Sequence, residues 1–238
     1  MDFSSPAFWV AVGQIVLIDI LLGGDNAVVI ALAVRKLDPA KRRLGIIWGT
    51  AGAIGLRVIL IVFALTLLSV PFLKLVGGVL LLWIGIKLLA PEHEDGHGNI
   101  EGADKLWAAI RTIIVADLVM SIDNVIAIAG AAQGAGGDHE IPLVIFGLVV
   151  SVPIIVWGSQ LVIKLMDRFP MVITIGGMLL GYIAGGMMVT DPFVVEYTTP
   201  HMPHIKWIAE AIGALLVLAI GMFLARRQKA KAPDTPAH

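Results

Sequence analysis

One polar phrase occurs twice within otherwise apolar stretches of this sequence. The first copy runs from Asp19 to Asn26 (DILLGGDN) and the second from Asp117 to Asn124 (DLVMSIDN). An aspartate near the centre of a membrane helix opposes insertion by about 2.5–3.5 kcal/mol, so four of them oppose it by about 10–14 kcal/mol. Because the chain carries this energetic cost at two matching places, we expect the carboxylates to have a function.

Composition predicts that the chain lies in a membrane. Of its 238 residues, 58% are hydrophobic and 15% charged, and the mean hydropathy of +0.92 excludes an ordinary soluble domain. The sequence has no cysteine, which excludes disulfides, thiolate metal sites and cysteine nucleophiles. Apolar stretches long enough to cross about 30 Å of hydrocarbon predict an all-α fold with seven transmembrane helices. The predicted spans are residues 7–34, 44–69, 72–90, 106–132, 141–165, 170–189 and 205–225.

Lysine and arginine predict the orientation, because they accumulate on cytoplasmic loops. Residues 35–43, between the first two spans, contain five of them. This loop is therefore expected inside the cell, with the N-terminus outside. The first span lacks the basic region and cleavage site of a signal peptide, so we expect it to be retained. The sequence thus predicts a multi-pass protein of the bacterial plasma membrane with a basic cytoplasmic tail.

The sequence also contains an internal repeat. A shift of 98 residues places Asp19 on Asp117 and Asn26 on Asn124, and a shift of 99 places Pro71 on Pro170. Each copy holds three predicted spans, so the second copy has to enter the membrane inverted. Secondary transporters commonly have this architecture, with a midplane binding site at interrupted helices. The predicted organisation is a first repeat (1–90), a cytoplasmic polar loop (91–105), a second, inverted repeat (106–190), an outer loop (191–204), a seventh helix (205–225) and a basic tail (226–238).

The two polar phrases provide oxygen atoms that suit a hard cation. Residues seven apart share a helix face, which aligns the first aspartate of each phrase with its asparagine, while the second aspartate points about 100° away. An interruption at Gly23 and Gly24, and a weaker one at Ser121, would turn all of them inward. Carboxylate and amide oxygens suit Mg²⁺, Ca²⁺ or Mn²⁺, and they disfavour zinc without excluding it. The predicted ligands are Asp19, Asp25, Asn26, Asp117, Asp123 and Asn124.

Arg57 lies in the middle of the second predicted span. An unpaired guanidinium would be costly at that depth, so this residue is predicted to be a counter-ion to the aspartates or a gate of the empty site. Snorkelling to the membrane interface is the alternative.

The phrases GGDNAVVIALA and SIDNVIAIAGA, one in each copy, resemble those of the TerC family of integral membrane proteins. The resemblance is closest to the YjbE-like bacterial branch and extends to about residue 225. It implies metal-ion efflux, chiefly of manganese, and it places the family's acidic positions on the six predicted ligands. The family name records a tellurium-resistance phenotype, and some members have been linked to membrane-protein insertion.

Together these features predict a secondary transporter that exports divalent metal cations, most of all Mn²⁺, with protons as exchange partner. No enzymatic activity, tightly bound cofactor or nucleic-acid partner is expected; the partners are the lipid bilayer, the transported cation and protons. One alternative is an insertion or scaffold subunit without transport. A less favoured one is an intramembrane aspartyl protease, whose Gly-x-Gly-Asp and Tyr-Asp phrases do not match this sequence. Oligomeric state, transport direction and the choice among divalent ions stay open.

Two further expectations concern residues outside the predicted site. Glu210 is expected at the membrane interface, and Asp191 and Glu196 in a solvated outer loop. Small residues spaced four apart are typical of close helix packing. They form two stripes, Gly177, Gly181 and Gly185 in the sixth span and Gly45, Gly49 and Ala53 in the second.

Overall fold

The structure, a computed structural model, describes residues 6–63, 70–90, 102–133, 140–198 and 204–231. Within these segments the regular structure is helical, which confirms the predicted all-α class. The helices are α1 (Pro6–Val34), α2 (Pro39–Val62), α3 (Leu73–Leu89), α4 (Gly102–Gln133), α5 (Glu140–Arg168), α6 (Met171–Val189), α7 (Pro192–Thr198) and α8 (Ile205–Lys231).

Four helices, α2, α5, α6 and α8, are long and apolar enough to cross a membrane. Helix α1 is bent by 51° between Phe8–Leu21 and Gly23–Val34, and it makes a fifth crossing if the two halves form one span. Helix α3 has 17 residues, about 25 Å, which is slightly less than the hydrocarbon thickness. Four or five of the seven predicted spans therefore correspond to described helices that are long and apolar enough to cross a membrane.

Helix boundaries differ from the predicted segments at three places. Helix α4 begins at Gly102, inside the predicted loop 91–105, and α8 continues to Lys231, inside the predicted tail. Helix α7 occupies part of the predicted outer loop, 191–204. At the start of α4 and the end of α8, charged residues that form helices well extend each helix into water. Residues 1–5, 64–69, 91–101, 134–139, 199–203 and 232–238 of the predicted segments lie outside the described residues.

The bundle buries an apolar interior and leaves a hydrophobic exterior. Helix α1 packs on α4 and α5, α2 on α4, α3 on α6, and α6 on α8. The largest buried cluster includes Leu32, Ile113 and Leu180 from three different helices. Large apolar side chains also cover the outside: Trp48 is 62% exposed and Trp157 is 67% exposed. Such an exterior suits contact with lipid. The backbone polar groups of a helix bond to one another, so they need no partner from the surrounding hydrocarbon.

Several glycine contacts come in matched pairs. Gly49 on α2 faces Ile113 on α4, where an added Cβ would lie 2.7 Å from the isoleucine side chain. Gly147 on α5 faces Ile15 on α1 in the same way, at 2.5 Å. The shift of 98 residues relates Gly49 to Gly147, and it also relates Ile15 to Ile113. The helices that carry the two polar phrases therefore pack against equivalent surfaces of their partner helices.

The predicted packing stripes are confirmed. A Cβ on Gly181 would collide with the carbonyl oxygen of Gly213, and one on Gly185 with that of Ala209. Helices α6 and α8 therefore approach with their backbones in contact, as small residues allow in membranes. On α2, Gly49 instead makes room for the side chain of Ile113.

Asp191 and Glu210 are more buried than the sequence predicts. Asp191 has no exposed surface, because its carboxylate accepts backbone N–H groups of Phe72 at 3.0 Å and Lys74 at 3.1 Å. It also accepts those of Leu75 at 3.2 Å and Phe193 at 2.9 Å, and so caps the first turn of α3. The expectation of a solvated residue was wrong for Asp191, although Glu196 is exposed.

Glu210, near the start of α8, is only 5% exposed, and it forms an ion pair with Lys206 at 3.8 Å. Its side chain lies against Gly186 of α6, where an added Cβ would lie 2.9 Å from Oε1. The missing side chain of that glycine makes room for the carboxyl group between α6 and α8.

Replacing Asp191 with asparagine is expected to lower stability by about 1–3 kcal/mol at neutral pH, because charge-assisted hydrogen bonds are lost. Burial by itself raises the pKa of Asp191, but the four backbone donors outweigh it and hold the pKa below its ordinary value. The stabilisation is therefore present above the unfolded pKa and disappears as pH falls through the folded one. Thermal unfolding in detergent between pH 3 and pH 7 should show wild type and Asp191→Asn converging below about pH 4. Glu196→Gln, at an exposed residue of α7, is the control; a pH-independent difference would contradict the capping role.

Candidate functional site

A small cavity lies among α1, α2, α4 and α5. Its volume is about 20 Å³, slightly more than one water molecule requires. The polar part of its wall comes from three helices, and the rest of the wall is apolar. The polar residues are Asp19 and Asn26 of α1, Thr50 and Arg57 of α2, and Asp117 of α4.

Arg57 joins the two first aspartates of the polar phrases. Its guanidinium forms an ion pair with Asp19 and another with Asp117, with Nη2 2.5 Å from the Asp117 carboxylate. Its Nε donates to the hydroxyl of Ser121 at 3.0 Å, and the Ser151 hydroxyl donates to Asp19. Arg57, Asp19 and Asp117 are 3%, 2% and 8% exposed. The structure therefore places Arg57 as a buried counter-ion to two carboxylates from equivalent positions.

Two oxygen atoms of the cavity wall lack a hydrogen-bond partner among the described residues. The Asn26 side chain donates through Nδ2 to Asp117 at 2.9 Å, and this leaves its Oδ1 without a donor. The Thr50 hydroxyl oxygen is also without a partner. Each residue is 4% exposed. Buried polar atoms without partners are costly, which makes both oxygens available to a ligand.

Asp25 lies near the cavity but does not line it. Its side chain is half-buried and accepts the backbone N–H of Asn26 at 3.0 Å, and it lies within electrostatic range of Asp117 and Arg57. In the part of the chain that the structure describes, no three His, Cys, Asp or Glu side chains form a group that could hold a metal ion. Of the predicted carboxylates whose side chains are described, Asp19 and Asp117 therefore converge on Arg57, and Asp25 lies outside the cavity wall.

The remaining predicted residues have different positions. The side chain of Asp123 lies outside the described residues, and Asn124 is half-buried and outside the cavity wall. The bend of α1 falls at Gly23, where an added Cβ would lie 3.1 Å from Asn26 Nδ2. Gly24 has open space around it.

Helix α4 is continuous through Ser121, where the weaker interruption is predicted. Its hydroxyl bonds to the Asp117 carboxylate at 3.1 Å, so this residue supports the ion pairs directly.

Thr50 and Ser151 are absent from the predicted site. One signal could have found the threonine: it precedes Arg57 by seven residues, which places both on the same face of α2. Ser151 carries no comparable signal, because the shift of 98 residues relates it to Ala53.

Buried carboxylates, neutralised by an arginine inside a bundle of apolar helices, define an all-α integral membrane protein with a polar site within the membrane. The chain belongs to the TerC family of integral membrane proteins, whose sequence profile matches residues 4–229. This confirms the resemblance found in the two polar phrases. The chain is accordingly a multi-pass protein of the bacterial plasma membrane.

Three relatives illustrate the range of similarity. The membrane protein YjbE of Bacillus subtilis is 46% identical over 187 residues, covering 79% of this chain and 83% of YjbE. YceF of the same organism is 23% identical, covering 90% of this chain and 83% of YceF. The inner membrane protein YoaE of Escherichia coli is 25% identical over 95% of this chain, which spans 45% of YoaE. No solved structure shows a significant match.

Proposed function

We propose that this protein is a secondary transporter that exports divalent metal cations, Mn²⁺ above all, through the cavity between α1, α2, α4 and α5. The observation that carries the proposal is the buried pair of carboxylates, Asp19 and Asp117, which come from equivalent positions of two repeats and share one guanidinium. Structural hydrogen bonding between helices does not require ionisable groups, whereas ionisable groups buried within a membrane mark ion and substrate pathways.

The proposed architecture has seven crossings, an external N-terminus and two inverted repeats of three helices. The matched contacts support it: Gly49 with Ile113 repeats as Gly147 with Ile15 after a shift of 98 residues. In the third helices, Gly78 meets Met188, and Gly177 meets Leu89 after a shift of 99. In each pair of contacts, the glycine comes from one repeat in the first contact and from the other repeat in the second. A two-fold relation between the repeats produces this pattern, and transporters built from such repeats have their site at the interface between them.

The chemistry of the wall suits a hard cation that competes with Arg57. With the guanidinium in place, Asp19, Asp117 and Arg57 together carry one net negative charge. A divalent cation that displaces the guanidinium meets two carboxylates and the two open oxygens of Asn26 and Thr50. Oxygen donors of this kind match Mn²⁺, Ca²⁺ and Mg²⁺. Asp25, with its carboxylate near the cavity, adds a further negative charge during passage.

Export of such an ion needs coupling to a second gradient. With the cell interior negative, moving two charges outward costs about 4.6 kcal/mol per 100 mV, twice the cost of about 2.3 kcal/mol for one charge. Protons that enter through the same carboxylates supply this energy in the proposed cycle.

Replacing Asp117 with asparagine is expected to lower Mn²⁺ export at least about 10-fold, because a ligand and half of the site's negative charge are lost. Intracellular manganese and growth under excess Mn²⁺ would be measured in cells that lack their own exporters, at matched membrane expression. Asp25→Asn and Asp123→Asn are expected to lower export as well. Asp38→Asn, at an exposed carboxylate in the loop before α2, is the control.

The outcomes separate the candidate functions. If all three variants protect the cells as well as wild type, the cavity is not the transport site, and an insertion or scaffold subunit becomes the better description. If wild type exports another divalent ion in place of Mn²⁺, only the identity of the substrate changes.

A further inference from the structure

Thr50 differs from several other hydroxyl residues in the described helices. A buried serine or threonine in a helix usually bonds back to a carbonyl three or four residues earlier. Thr112 does so to Ala108 at 2.8 Å, Thr190 to Gly186 at 3.0 Å and Ser159 to Val156 at 2.8 Å. Thr50, which is 4% exposed, has no partner for its hydroxyl oxygen in the described part of the chain. Its hydroxyl is therefore held in the cavity wall without serving the helix.

The size of the cavity sets a condition on any ion that enters it. A volume of about 20 Å³ accommodates one water molecule or one bare cation, but not a cation with its hydration shell. An ion has to exchange most of its water for oxygen atoms of the wall. Besides the two carboxylates, the wall offers Thr50 Oγ1 and Asn26 Oδ1, which are not engaged by other described residues.

We propose that Thr50 contacts the transported cation directly, and that its hydroxyl oxygen, with Asn26 Oδ1, replaces water in the ion's shell. This inference rests on the proposed transport function. The replacement of water by oxygen atoms of the wall also determines which ions are selected. Mg²⁺ gives up its water reluctantly and demands near-ideal octahedral geometry, whereas Ca²⁺ accepts irregular shells. A site that strips the ion and offers mixed neutral and charged oxygens therefore discriminates against Mg²⁺.

The test compares Thr50→Val, which keeps the shape and removes the oxygen, with Thr50→Ser, which keeps the oxygen. In proteoliposomes, Thr50→Val is expected to raise the KM for Mn²⁺ about 10-fold and to weaken the preference for Mn²⁺ over Mg²⁺, while Thr50→Ser stays near wild type. Thr112→Val, which removes a hydroxyl that lies outside the cavity and bonds to its own helix, is the matched control and is expected to leave transport unchanged. If wild type carries no divalent cation, the transport proposal fails. If wild type transports and Thr50→Val has an unchanged KM and preference, the Thr50 inference alone is overturned.

Unfolding provides a second measurement that does not depend on transport. Because the hydroxyl has no partner in the wall, Thr50→Val is expected to melt at or above the wild-type temperature in cation-free detergent. Added Mn²⁺ should raise the melting temperature of wild type and of Thr50→Ser more than that of Thr50→Val. A lower melting temperature of Thr50→Val without cation would show that the hydroxyl has a structural role, and it would overturn the inference.

Discussion

Arg57→Met is expected to lower the free energy of unfolding by about 3–5 kcal/mol, because it leaves Asp19 and Asp117 buried without their counter-ion. The same change removes the internal competitor for the cavity. Millimolar Mn²⁺ is therefore expected to restore much of the lost stability, while it stabilises wild type less. Thermal unfolding of the purified protein in detergent, with Mn²⁺ or with a chelator, measures both effects.

Arg57→Lys is the matched control, since it keeps one positive charge and loses the planar fork that contacts two carboxylates at once. Its stability is expected to lie between those of wild type and Arg57→Met. Equal stabilisation of wild type and Arg57→Met by Mn²⁺ would contradict the competition between guanidinium and metal ion. An unchanged melting temperature of Arg57→Met without metal would contradict the role of Arg57 as counter-ion.

Gly185→Leu is expected to separate α8 from α6 and to destabilise the protein by more than the 1–3 kcal/mol typical of an overpacked core. An added Cβ at this position collides with the backbone oxygen of Ala209, which has no rotamer by which to move away. The two helices have to part, and the close contact that holds them together in the membrane is lost. Denaturation in increasing sodium dodecyl sulfate, followed by helix content, measures the effect.

Gly55→Leu provides the comparison, because Gly55 also lies within a helix and has nothing within 4 Å of an added Cβ. This variant is expected to be neutral or slightly stabilised, since leucine forms helices better than glycine. Equal tolerance of leucine at both positions would show that α6 and α8 are not held by their close approach.

The sequence predicts the parts of the site that follow from the cost of charge in hydrocarbon. Charged side chains buried in a membrane pair with one another, which made an ion pair of Arg57 with Asp19 and Asp117 expected. The two aspartates occupy equivalent positions in two repeats, so their convergence was expected as well. The glycine stripes were predictable for a similar reason, since small residues spaced four apart permit close packing. Membrane location and the family follow from composition and from the two polar phrases.

Other features depend on packing that no local pattern records. Glycine at positions 23 and 24 specifies only that a bend is allowed, and it does not specify that Asp25 lies outside the cavity wall. Hydroxyl residues are common in helices and normally bond to their own backbone, so the sequence marks Thr50 only by its place on the same face as Arg57 and does not mark its open hydroxyl. Asp191 seemed a loop residue because the donors that bury it include Phe72, 119 residues away in the sequence.

The shift of 98 residues relates Arg57 on α2 to Ile155 on α5, and both side chains line the same cavity. The scaffold is repeated, but the charge in its centre is not. The position on α2 carries a guanidinium and the equivalent position on α5 carries a hydrocarbon side chain, so the charge around the cavity is asymmetric. Two identical inverted copies would present an ion with the same electrostatic environment from either face of the membrane. In the proposed inverted-repeat transporter, the single arginine makes the approaches from the two membrane faces unequal and gives the site an intrinsic polarity.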